Sequence, residues 1–289
     1  MVWRNLIIAS IIIGIVIYGA IEIYSRNIIS KGKKLLESID KNFKIEDEKF
    51  ISIPKYYINL DRSTERRQKL EEQFKKYNIN NYTRIKAFDR KDIRTCRRGE
   101  LQGTSYVNDY NAENHEVAIT MSHLKAIKTA YDNGDKEALI FEDDVSLHLY
   151  PVWKKSFSSI IKSLPGDTEI FQMVSNKKID KLDFELTKRP DNVSTHGCAG
   201  AYLINKKGME KIIDNFFLED GTVIFKRSLK LPNIRIDFGI FNFMNIYTIN
   251  CNLFLMYNFE NEQNTYQKSQ ILRFIERDYD TVKYLTDNN

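Results

Sequence analysis

The sequence predicts an α/β body carried behind an N-terminal transmembrane helix. Three observations lead there. Residues 5–21 form a run of 17 uncharged, mostly aliphatic residues, at the lower edge of what spans a bilayer core. From about Phe50 the chain reads strand–helix–strand, as the opening of an α/β half does. Finally, the apolar strand Ala138–Phe141 runs straight into Glu142, Asp143 and Asp144. Three adjacent carboxylates repel one another, and water or a hard cation has to offset them.

Composition narrows the class. A chain of 289 residues with 42% hydrophobic and 29% charged residues suits one large domain with appendages. The net charge of +5 is spread along the chain, unlike the dense stripe of a nucleic-acid binder, so no nucleic-acid partner is expected. Cys96, Cys198 and Cys251 form no CxxC pair, which argues against a zinc ribbon or a redox motif. The expected organisation is a membrane anchor at 1–24, a stem at 25–49, the catalytic body at 50–260 and a polar tail at 261–289. Trp3 and Tyr24 flank the apolar run as interfacial aromatics do, giving a single-pass membrane localisation. Arg26, Lys31, Lys33 and Lys34 outnumber the charges before it; alone this favours a cytoplasmic body, and the side of the membrane stays open.

Within the body, 51–58 reads as a strand and Ser63 as the N-cap of a helix to about Tyr77, with Leu70, Phe74 and Tyr77 on one face. A strand over 82–88 ends at Asp89. Residues 90–115 lack periodicity and read as a long loop. A helix over 116–131 precedes the strand 138–141. Further strands are expected at 168–174, 198–204, 247–249 and 253–256, with helices at 207–217 and in the tail around Ile271, Ile275, Val282 and Leu285.

The residues at the strand ends carry the chemistry. In an open α/β sheet ligands bind beyond the carboxyl ends of the strands, which places Asn59, Asp61, Asp89 and the acidic triplet on one edge. Asn59 and Asp61 read equally well as a plain turn or cap. Arg66 and Arg67 start a helix; one of them can face a phosphate, and the other reads as a solvated face. Ser122 and His123 are neighbours on a helix and point about 100° apart, which argues against a serine–histidine nucleophilic pair.

Four stretches occur in order along the chain: Tyr57–Arg67 (YINLDRSTERR), Ile85–Asp89 (IKAFD), Glu116–His123 (EVAITMSH) and Leu139–Val145 (LIFEDDV). A weaker fifth runs from Gly200–Ile204 through Gly208 to Ile236-Asp237. Together they resemble glycosyltransferase family 25, the lipooligosaccharide and collagen galactosyltransferase type. Arg90, His115, Ala118 and Ile119 depart from that pattern. The resemblance implies a GT-A-like (Rossmann-like) nucleotide-sugar-binding domain, a UDP-sugar donor, and Mn²⁺ or Mg²⁺. It implies Asp144 as direct metal ligand, with Glu142 or Asp143 holding a metal-bound water or the donor ribose. Asn59, Asp61, Asp89, Arg66, Ser122 and His123 become donor-site candidates. An inverting transfer needs a base for the acceptor hydroxyl; Asp237 is the candidate, following an apolar strand-like stretch, and a second metal-ligand role for it stays open. The expected activity is galactosyl transfer to a lipid-linked glycan, another glycan or a protein hydroxyl. The alternative is a non-catalytic glycan- or nucleotide-binding relative.

Overall fold

The long apolar run does not stop where a membrane anchor would: helix α1 (Val2–Ile39) continues unbroken through it into the charged stretch beyond. Among the described residues no helix is long and apolar enough to cross a membrane. This overturns the predicted transmembrane helix, and with it the fold expectation that included it and the single-pass membrane localisation. The physical reason is length and continuity. Seventeen uncharged residues rise about 26 Å, short of the ~30 Å hydrocarbon core. The second half of the same helix is amphipathic, and Ile28, Leu36 and Ile39 are buried in the core of the body.

The computed structural model describes residues 2–39, 47–95, 97–176, 181–190, 197–256 and 268–287. After α1 come α2 (Glu48–Ser52), β1 (Lys55–Asn59), α3 (Thr64–Lys76) and β2 (Tyr82–Lys86). Next are β3 (Arg98–Leu101), β4 (Thr104–Asn108), α4 (Asn114–Asp132), β5 (Glu137–Glu142) and α5 (Phe157–Lys162). The chain ends with β6 (Ile170–Gln172), β7 (Leu186–Lys188), β8 (Ala201–Asn205), α6 (Lys206–Phe216), β9 (Val223–Phe225), β10 (Ile246–Ile249) and α7 (Lys268–Thr286). The result is mixed α/β. A seven-stranded sheet has the order β2-β1-β5-β8-β6-β10-β7. Within it β8 runs antiparallel to β5 and β6, and β7 antiparallel to β10, while the other pairs are parallel. A three-stranded sheet, β3-β4-β9, stands apart.

Both faces of the large sheet are covered, which is why its central strands read as continuous apolar runs. On one face lie α3 (Leu70, Phe74), α5 (Phe157, Ile160) and the docked α1 and α7. On the other lie α4 (Val117, Met121, Leu124, Ile127) and α6 (Met209, Ile212, Phe216). The segment read as a polar tail thus supplies Ile275, Val282 and Leu285 to the core.

Local departures from expectation have local causes. Residues 48–52 are helical rather than strand because the Asp47 carboxylate accepts from Phe50 N and Phe157 N, capping a short turn. Lys55 then closes it, its ammonium donating to the carbonyls of Phe50, Ile51 and Ile53. Burial pulls that ammonium's pKa down to about 7. The stretch 90–115 contains the β3–β4 hairpin, turned by Gln102 and Gly103 with φ of 49° and 80°, the left-handed geometry a tight hairpin requires. Of the strand expected at 253–256, only a bridge from Leu255 to Ser146 forms.

Candidate active site

The large sheet reverses its order at β1: β2 lies on one side of it and β5 on the other. Such a switch opens a crevice beyond the carboxyl ends of the two diverging strands. Asn59 ends β1 there, and Glu142 ends β5 with Asp143 and Asp144 just beyond.

These residues are knit together. Asn59 Nδ2 donates to Asp143 Oδ2 at 2.7 Å and to Ser63 O at 3.0 Å. Ser63 takes the N-cap position of α3 without a side-chain capping bond. Arg66, one turn into α3, donates through Nη1 to Asp143 Oδ1 at 3.0 Å and reaches Asp144 Oδ2 at 3.4 Å. Arg84 donates to Asn59 Oδ1 at 3.0 Å and to Asp61 Oδ1 at 2.7 Å. Even with Arg66 present, burial raises the pKa of Asp143. Asp144 is pushed up to about 7, by burial first and by the Glu142 charge second. Asp144 Oδ1 is buried and has no hydrogen-bond partner. A bare carboxylate oxygen beside two other carboxylates is an expensive arrangement that a cation would relieve. No group of three or more His, Cys, Asp or Glu among the described residues is placed to hold a metal, so the residues do not form an all-protein cage. They fit an ion held by one or two carboxylates and completed by donor phosphate oxygens.

Glu142 is oriented from behind. His123 Nε2 lies 3.1 Å from Glu142 Oε1, and its Nδ1 lies 3.1 Å from the Tyr202 hydroxyl. His123 and Tyr202 are buried, with their rings stacked 5.8 Å apart. Burial raises the Tyr202 pKa well above its usual value, so the phenol keeps its proton. One arrangement satisfies all three groups: Tyr202 O–H donates to Nδ1, and Nε2–H donates to Glu142. Since a glutamine amide reproduces the Nε2 donor that an asparagine amide cannot reach, His123→Gln is expected to lower the melting temperature less than His123→Asn, and equal melting temperatures for the two variants would refute the assignment.

Asp237 does not follow a strand, correcting the local expectation. It sits in a π-helical turn, Ile236–Ile240. Thr120 of α4 pins the approach by donating to Ile234 O at 3.0 Å. At Gly239 a Cβ would fall 1.9 Å from Asn233 O, so only glycine permits the turn. Asp237 Oδ2 accepts from Cys198 N at 3.2 Å, and Oδ1 lies 3.5 Å from Arg235 Nε. Buried Arg189 donates to Asp237 O and to Asn242 Oδ1. Burial raises the Asp237 pKa; Arg235, the Cys198 amide and Arg189 counter it, and Glu142 adds to it.

Other candidates are engaged elsewhere. Ser122 Oγ is buried, donating to Ala118 O at 2.7 Å and accepting from Phe88 N at 2.9 Å, so it ties α4 to the strand end after β2. Asp89 pairs with Arg62 and caps the turn at Arg90–Asp92. Asp61 is exposed and held at a pKa of about 2 by bonds from Lys86 and Arg84. His196, which precedes a Gly-Cys-Ala-Gly run and reads from the sequence as a loop histidine or a phosphate contact, lies outside the described residues. Arg84 opens a basic cluster, Arg84 to Arg98, that the sequence reads as phosphate contacts or a solvated loop; sequence reasoning missed Arg189, whose reach to the site depends on strand pairing, and Tyr202, whose position in the fifth motif was the available signal.

Comparison with known proteins agrees with the placement of these motifs. No curated protein sequence matches the chain. A solved structure, A197 from STIV, aligns at 11% identity and a TM-score of 0.37 over 68% of this chain and 81% of that chain, a likeness too distant to carry an argument. The model of "Glycosyltransferase family 25 (LPS biosynthesis protein)" matches residues 52–218. This span is more than half of the chain and contains β1, α3, α4 and the acidic end of β5, and on that ground the chain belongs to glycosyltransferase family 25.

Proposed function

We propose that this glycosyltransferase moves a hexosyl group, galactose in our reading, from a UDP-sugar to a hydroxyl of a glycan or glycoprotein acceptor, with inversion and with Mn²⁺ or Mg²⁺ bound. The observation that carries the reading is the buried, unpartnered Asp144 Oδ1 in the crevice between the ends of β1 and β5. Asp144 and Glu142 would hold the cation, which neutralises charge developing on the diphosphate. Asn59 and Asp143 face the donor's ribose, with Asp61 and Asp89 at the outer edge. Arg66, now spanning Asp143 and Asp144, has the donor phosphates as alternative partners.

The acceptor oxygen forms its bond to the anomeric carbon as the bond from that carbon to the diphosphate oxygen breaks. The hydroxyl proton passes to the Asp237 carboxylate, and UDP leaves. Since burial raises the Asp237 pKa, and only the ionised form acts as base, the acid limb of the transfer rate should lie above the usual carboxylate range. Asp237→Asn is expected to lower transfer about a hundredfold and to leave cation-dependent UDP binding unchanged, as read by kinetics and calorimetry.

The reading is tested on the full chain, stripped with EDTA and offered a panel of UDP-sugars with and without Mn²⁺. Cation-dependent UDP release from one sugar identifies the donor. No release from any donor, together with no cation-dependent UDP binding, overturns the reading. UDP binding without release from any donor points instead to a non-catalytic binding relative.

A further inference from the structure

The small sheet joins β3 and β4 to β9, from a distant part of the sequence, and so gathers exposed cations. Arg94, Arg97 and Arg98 come from one segment and Lys226, Arg227 and Lys230 from the other. Two of them converge. Arg97 Nη1 and Arg227 Nε both donate to the backbone carbonyl of Asp109, at 3.0 and 3.1 Å. The two nitrogens are therefore no more than about 6 Å apart. Neither guanidinium forms an ion pair among the described residues, with the Asp109 carboxylate or with any other. Two like charges sharing one carbonyl favour an anion beside them.

The arrangement is also held ready. Arg227 lies 5.1 Å above the Tyr110 ring. That ring is buried and anchored at its hydroxyl, which accepts from Leu231 N at 3.0 Å and donates to Lys226 O at 3.3 Å. From Arg227 the chain runs past Thr120's anchor at Ile234 to exposed Arg235, whose Nε is 3.5 Å from Asp237 Oδ1. The segment that carries Arg227 thus continues into the turn that carries the candidate base.

We propose that Arg97 and Arg227 bind an anionic group, phosphate or carboxylate, on the acceptor glycan. This rests on the glycosyl-transfer reading, which supplies the glycan. Planar guanidinium forks match both oxyanions, and charge-assisted bonds are about twice as strong as neutral ones. Being exposed, the site should discriminate less as salt screens it.

The test measures binding to the full chain, by calorimetry at low salt, of three probes: a glucosamine disaccharide carrying one phosphate, the same disaccharide dephosphorylated, and a counterpart carrying glucuronate. At least one anionic probe is expected to bind about tenfold tighter than the neutral one, and which one does so identifies the anion. The double variant R97Q/R227Q should reduce that preference to within twofold while leaving donor hydrolysis and melting temperature unchanged. Lysine at both positions should keep part of it. Equal affinity of the wild-type chain for neutral and anionic probes, no binding of either anionic probe, or a preference that survives in R97Q/R227Q would overturn the proposal. Failure of UDP release from every donor would instead sink the transfer reading, and the probe comparison would still decide the role of the two arginines.

Discussion

Asp144→Asn is expected to lower cation-dependent UDP release about a thousandfold without lowering the melting temperature. The two halves of that result have one cause. Asp144 lies against Glu142 and Asp143 with Oδ1 buried and unpartnered. An amide keeps the shape and removes the charge, so the proposed cation would lose a ligand. The folded chain, meanwhile, is relieved of a like-charge contact, and Arg66 remains to neutralise Asp143 at 3.0 Å. The sign with pH follows. A carboxyl whose folded pKa is about 7, above its usual value near 3.9, binds more protons in the folded than in the unfolded state between those limits. Wild-type stability measured without cation should therefore fall as pH rises through that window. The asparagine variant should lack that part of the slope. Release within tenfold of wild type would remove Asp144 from the metal site.

Phe50→Ala is expected to destabilise the chain by about 4 kcal/mol, lowering the melting temperature by about 10 °C. Phe50 is fully buried, and four rings meet it: Tyr150 at 4.8 Å, Trp153 at 5.2 Å, Phe157 at 5.3 Å and Phe254 at 6.0 Å. Edge-on and tilted contacts of this kind add to the area term. Truncation leaves a cavity that the surrounding rings, fixed by Trp153 Nε1 donating to Leu253 O at 2.9 Å and by Asp47 N donating to the Tyr150 hydroxyl at 2.9 Å, are poorly able to fill. A thermal melt showing a loss below about 1 kcal/mol would mean that the cluster collapses around the gap.

The carboxyl-end cluster was legible because its parts lie in short runs beside their own strands. Asn59 and the acidic triplet need only β1 and β5 to be parallel neighbours, and the apolar runs before them predict that. What was not legible depends on pairings between distant segments. Arg189 reaches Asp237 because β7 closes the far edge of the sheet against β10. The turn at Asp237 exists because Asn233 O occupies the space a side chain at 239 would need, and an apolar run gives no sign of that. The hairpin in 90–115 was hidden because β3 is exposed over all but Leu101 and the buried positions of β4 are Tyr106 and the polar Asn108, so no apolar alternation marks them. The first helix was misread for a related reason. Its apolar run was judged by composition, whereas the later part of the same helix shares a core cluster with α7, whose buried residues lie far away in the sequence.

That last pairing has a consequence for biosynthesis. Ile28, Leu36 and Ile39 leave the ribosome well before Ile275, Val282 and Leu285, the residues that share their core cluster. At the usual ~5–20 residues per second, the delay is on the order of ten seconds or more. Throughout that interval one apolar helix face stays bare, a natural site for chaperone occupancy, and the emergence of α7 is the event that closes it.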